Sequence, residues 1–154
     1  MLTIDQVADY FLSCVDEEAG DNMTNLRLQK LVYYAQAWHL ALVGAPLFEE
    51  DFEAWLHGPA NYELWSKYKA YKWNPLPKPT APTVEMDDET IDILNEVWDA
   101  YGQFSAKHLE QLTHSEDPWI NARKRRNCSP GDNCSEIITK DEMRNYYAQK
   151  VLTA

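Results

Sequence analysis

Residues 31–43, "LVYYAQAWHLALV", contain only Gln36 and His39 as clear polar breaks. A helix that is apolar on nearly every face is stable only when other elements surround it. The run is therefore predicted to be the central helix of the fold. Thr24 is placed to cap its start, and Met23 to staple onto Leu28. Gly44 and Pro46 end it. The run falls short of the continuous apolar length a membrane helix needs.

The surrounding elements are legible from periodicity and caps. Ile4, Val7, Ala8, Phe11, Leu12 and Val15 repeat at three and four residues, giving an amphipathic helix capped by Thr3. Phe52, Ala54 and Leu56 alternate with Glu53, Trp55 and His57, a pattern open to a short strand or to irregular structure. Pro59 suits the first turn of the next helix, in which Leu64, Trp65, Tyr68 and Tyr71 share a face. The segment 72–83, "KWNPLPKPTAPT", is rich in proline and reads as an extended loop over the surface. Asp87 and Ser105 open two further helices, with Met86 facing Ile91 and Phe104 facing Leu109 as staples. Asp117 followed by Pro118 reads as a cap and first helical position. "NCSPGDNCS" (127–135) is a turn-rich loop, and Thr139 with Glu142 forms a capping box before the last helix.

The expected fold is mainly α: a single compact domain, residues 1–154, of about seven helices around the apolar one. One short β-strand pair is allowed for. A length of 154 residues suits one core, and 45% hydrophobic content can fill it.

Net charge is −11, with acidic runs at 16–21, 48–53 and 84–90. Such a field repels phosphate backbones, so direct nucleic-acid binding is not expected. The one basic cluster, Arg123 to Arg126, reads as a solvated helix end. The first residues lack the basic-then-apolar order of a signal peptide, and three cysteines do not make a disulfide framework. A cytoplasmic location without membrane attachment is expected.

Catalytic signals are sparse. His108 and His114 are six apart and would diverge by about 240° on one helix. Cys128 and Cys134 straddle a Pro-Gly turn and could meet, but zinc would need two more ligands. No phosphate-cradling glycine loop or nucleophile elbow is present. No cofactor, metal or catalytic residue is expected. What stands out is a pair of junctions, "AWLHGP" (54–59) and "THSEDPW" (113–119). Each sets a histidine beside a proline, a tryptophan and a helix entry. They are expected to lie close together, Trp55 and Trp119 sharing an aromatic wall and Trp55 packing on the central helix.

These junctions carry a resemblance. Thr24, Leu28, Gln29, Lys30, Leu31, Tyr33, Ala35 and Trp38, followed by Pro46, Leu47, Phe48, Phe52, Ala54, Trp55, His57, Gly58 and Pro59, resemble the first half of the Panacea antitoxin domain. That family contains the SocA antitoxin and phage-associated GepA-like proteins. Leu109, Leu112, Thr113, His114, Pro118, Trp119, Ala122 and Arg123 resemble its second half. The likeness runs from about Asp5 to the last helix. It departs at Ala60, Asn61 and Tyr62, where the family often shows valine and a second proline.

The resemblance implies an antitoxin that neutralises a toxin, generally encoded by the adjacent gene, through direct contact. It also implies that toxin can be handed to a Clp-type protease. It brings no catalytic residues. The expected partner-binding residues are His57, Gly58, Pro59, Tyr62, Trp73, His114 and Trp119. The alternative is a small phage-associated enzyme using His57 and His114 as acid/base groups.

Overall fold

In a computed structural model, residues 1–80 and 84–153 are described. Helix α2 (Asn25–Val43) runs through the middle. Around it lie α1 (Ile4–Ser13), α3 (Tyr62–Tyr68), α4 (Asp88–Tyr101), α5 (Ala106–His114), α6 (Asp117–Arg125) and α7 (Lys140–Thr153), with a 3-10 turn at Lys69–Tyr71. The mainly α expectation holds. One hydrophobic core draws on residues from α1 through α7, including Phe11, Leu28, Leu31, Tyr33, Leu64, Leu94, Leu109, Met143 and Tyr147.

Caps fall where the side-chain chemistry places them. Thr3, Thr24, Asp87 and Ser105 each accept a hydrogen bond from a backbone N–H in the first turn of their helix. Thr139 and Glu142 exchange bonds as a capping box. Gly44, with φ +83°, ends α2 in the left-handed region.

The polar breaks of α2 are clamps. Every backbone group buried beside a central helix needs a partner, and side chains of α2 supply several. Gln36 donates to the Phe48 carbonyl (2.7 Å) and accepts from the Leu47 N–H (2.8 Å). His39 Nδ1 lies 2.6 Å from the Ala45 carbonyl. Arg27 reaches the Phe104 and Gly102 carbonyls, tying the α4–α5 turn to the start of α2.

Three strands form a small antiparallel sheet in the order β2-β1-β3: β1 (Phe52–Trp55), β2 (Gly58–Ala60) and β3 (Ile137–Ile138). The third strand goes beyond the strand pair expected from sequence, because two isoleucines after a turn-rich loop carry no alternation to read. Pro59 is a second departure. It sits in β2 opposite Ala54, not at a helix start, and an edge position tolerates its missing N–H. Asn61 caps α3 instead. At α6, Glu116 holds the cap position and Asp117 is already helical.

Trp55 differs from expectation too. Phe52 and Ala54 point into the core, which leaves Glu53 and Trp55 on the outer face of β1. The Trp55 ring meets Tyr62 (6.5 Å) and Trp65 (5.9 Å) there, and Trp55 is not among the half-buried side chains packed on the core.

The odd cysteine count still permits one local crosslink. Cys128 and Cys134 are joined, with Cα atoms 5.9 Å apart across the Pro130-Gly131 turn, and Cys14 is free. Three of the four basic residues are engaged within the fold. Arg123 is buried, and Arg125 and Arg126 pair with Glu136. The proline-rich loop is pinned at Leu76, which is buried and donates its N–H to the Met23 carbonyl (2.7 Å). Residues 81–83 of that loop lie outside the described residues.

Candidate partner-binding site

Leu56 and His57 form the tight turn between β1 and β2, with Trp55 opposite Gly58. The turn is held from below. Gly58 has φ +106°, a conformation other L-residues rarely adopt. A Cβ there would come 2.7 Å from Lys30 Cε and 2.8 Å from Thr113 Oγ1. Glycine is needed for conformation and for space at once.

Lys30 is 1% exposed, and its Nζ donates to the Pro59 carbonyl (3.2 Å). Burial lowers its pKa from 10.5 to about 7, against an opposing pull from Glu110. Beside it, Gln29 accepts from the Asn61 N–H (2.9 Å) and donates to Asn25, which in turn donates to the Trp65 carbonyl. One turn of α2 thus fixes β2, the cap of α3 and the end of α3's first turn.

Glu110 closes the site from α5. Its carboxylate meets His57 Nδ1 at 2.5 Å and Lys107 Nζ at 3.0 Å. Burial alone would raise its pKa, but the hydrogen bonds from Lys107 and His57 outweigh that and hold it below the ordinary value. His57 is therefore oriented from inside while its side chain is 67% exposed.

The second junction lies against the first, as expected. The Trp119 indole N–H donates to the Trp55 carbonyl (2.8 Å). His114 stacks on the Trp119 ring at 3.9 Å, and the Arg123 guanidinium lies 5.0 Å from that ring's centroid. Arg123 also donates to the Ala54 carbonyl at 2.9 Å and to Ser129 and Asp132 in the disulfide loop. Burial lowers the His114 pKa, and its Nε2 is buried with no hydrogen-bond partner among the described residues. The aromatic wall is two walls, Trp55 with Tyr62 and Trp65 outside, and Trp119 with His114 and Arg123 further in.

The expected partner-binding residues divide accordingly. His57, Tyr62 (64% exposed) and Trp73 (80% exposed) face solvent. His114 and Trp119 are half-buried, and Gly58 and Pro59 are buried and shape the turn. Trp73 makes no ring contact among the described residues. Lys30, Gln29, Asn25 and Glu110 complete the site. Their signal in the sequence is polar and charged side chains inside elements otherwise committed to the core.

The pattern described as "Antitoxin SocA-like, Panacea domain" matches residues 28–120. The chain belongs to this family. The Panacea match runs from the first turn of α2 into α6, so it contains both junctions with Lys30, Gly58 and Glu110. Helices α1 and α7 and Arg123 fall outside it. No curated protein and no solved structure matches the chain. Among the described residues, no helix is long and apolar enough to cross a membrane.

Proposed function

We propose that this Panacea protein, acting as one domain over residues 1–154, is an antitoxin that neutralises a cognate toxin by direct binding. The match over residues 28–120 carries the reading. The geometry supports a binding role because the β1–β2 turn is preorganised. Its backbone is clamped by Lys30 and Gln29, and His57 is aimed outward by Glu110. A surface fixed before contact loses little freedom on binding. His57 and Tyr62 form its exposed part, His114 and Trp119 stiffen it from behind, and Trp73, exposed beyond α3, is proposed as a further contact.

The partner is a toxin, the product of the adjacent gene. Hand-over of captured toxin to a Clp-type protease belongs to the same proposal. The cytoplasm is the proposed location.

Co-expression tests it. The neighbouring gene product should arrest growth alone, and this chain should restore growth and co-purify with it. His57→Ala should leave the chain folded, losing only the hydrogen bond to Glu110, about 1–3 kcal/mol of stability, and should weaken toxin binding by about 1–2 kcal/mol, the scale of an interface contact. A harmless neighbour that never binds the chain removes the reading. Toxin half-life with and without the protease tests the hand-over.

A further inference from the structure

On the side of α2 formed by its C-terminal half, an apolar groove opens between α2 and α4. Trp38, Leu42, Ile93, Val97, Ala100 and Tyr101 line it, with Glu96 the single charged residue. Its volume is about 220 Å³, below the roughly 300 Å³ at which small-molecule pockets begin. That space suits side-chain anchors better than a free ligand. Leu42 is 46% exposed at its edge, and Val43 beside it is exposed too.

The α4 side of the groove carries one sign of charge. On α4, Glu89, Asp92, Glu96 and Asp99 recur at three- and four-residue spacing, which places them in one stripe beside the stripe of Ile93, Val97 and Ala100. All four acids are exposed. The helix "DETIDILNEVWDAY" has no lysine or arginine of its own to offset them. Like charges along a helix face repel, and a cationic partner relieves that repulsion.

We infer that this groove seats an amphipathic, cationic helix of the partner protein, apolar residues entering between α2 and α4 and lysines or arginines meeting Asp92 and Glu96. This is helix-in-groove recognition with charge-set orientation. It rests on the antitoxin reading only in naming the toxin as the owner of that helix. The groove is built from other residues than the β1–β2 turn.

The probe is a synthetic peptide of about 18 residues, long enough to hold a helix, with leucines at i, i+3, i+4 and i+7 and lysines elsewhere. A counterpart carries glutamate in place of lysine. Binding of each labelled peptide to the full chain is read by anisotropy. Ala100→Trp fills the groove from an exposed position, and the double variant Asp92→Lys with Glu96→Lys reverses the rim. Both are surface changes, and melting temperatures confirm the fold.

The lysine peptide should bind the unaltered chain and lose affinity tenfold or more with either variant. The rim-reversed variant should gain affinity for the glutamate peptide. Unchanged affinity for the lysine peptide in Ala100→Trp overturns the groove. In the co-expression assay, Ala100→Trp should impair rescue where the unaltered chain rescues, and full rescue overturns assignment of the groove to the toxin. Failure of the unaltered chain to rescue is a failure of the antitoxin reading instead, and the peptide result then decides the groove by itself.

Discussion

Replacing Gly58 with alanine separates two demands that glycine meets at this turn. Gly44 supplies the control. Both have positive φ, +83° at Gly44 and +106° at Gly58, but a Cβ at Gly44 meets nothing within 4 Å. Gly44→Ala therefore carries backbone strain alone, about 1–2 kcal/mol. Gly58→Ala adds contacts at 2.7 Å and 2.8 Å to Lys30 and Thr113. Lys30 cannot swing away cheaply, because it is buried and its Nζ is bonded to the Pro59 carbonyl. Overpacking of this kind costs a further 1–3 kcal/mol or so, for a total of about 2–5 kcal/mol. At roughly 2–4 °C per kcal/mol for a chain of this size, Gly58→Ala should melt several degrees below Gly44→Ala. Thermal and urea unfolding followed by circular dichroism read the difference. Equal losses in the two variants would refute the claim that Lys30 and Thr113 close the space over Gly58.

Other consequences can be measured in the same way. Lys30 has its pKa lowered to about 7 on folding from 10.5, so its unfolded form holds a proton the folded form has lost. Stability should rise with pH between those values, and Lys30→Met should flatten the rise. Glu116 accepts hydrogen bonds from Tyr34 (2.7 Å) and Tyr147 (2.8 Å), and burial raises its pKa above 4.5. Its stabilising contribution is full below pH 4.5 and is lost as pH rises through the raised value. Glu116→Gln should remove that slope in urea titrations, whereas Glu116→Ala should cost about 1–3 kcal/mol or more through unpaired tyrosine hydroxyls. Trp119→Ala should cost about 3–5 kcal/mol in thermal melts, and Trp55→Ala clearly less, because Trp119 packs on the core and Trp55 lies outside it.

What the sequence revealed follows from how each signal is encoded. Helices and caps are written locally, in periodicity and in Thr3, Thr24, Asp87 and Ser105, and the structure has them at those residues. The proximity of the two junctions was legible from their shared make-up. The role of the clamps was not. Lys30 and Glu110 look like ordinary helix residues until the fold brings them under a turn that lies 29 residues away from Lys30 and 53 from Glu110 along the chain. Trp55 was misplaced because alternation shows that a strand has two faces without telling which face is inward. Pro59 was misplaced because its fixed φ suits both an edge strand and a helix start. β3 has only two residues, too few for any periodic signal.

The central claim is that this Panacea protein neutralises by contact. Its most direct test is a titration of the purified adjacent gene product with the purified chain, following toxin activity and binding together. Activity should fall in proportion to complex formed, and His57→Ala should shift both curves to higher concentration by the same factor. Loss of toxin activity without a complex, or a complex that leaves the toxin active, would contradict it.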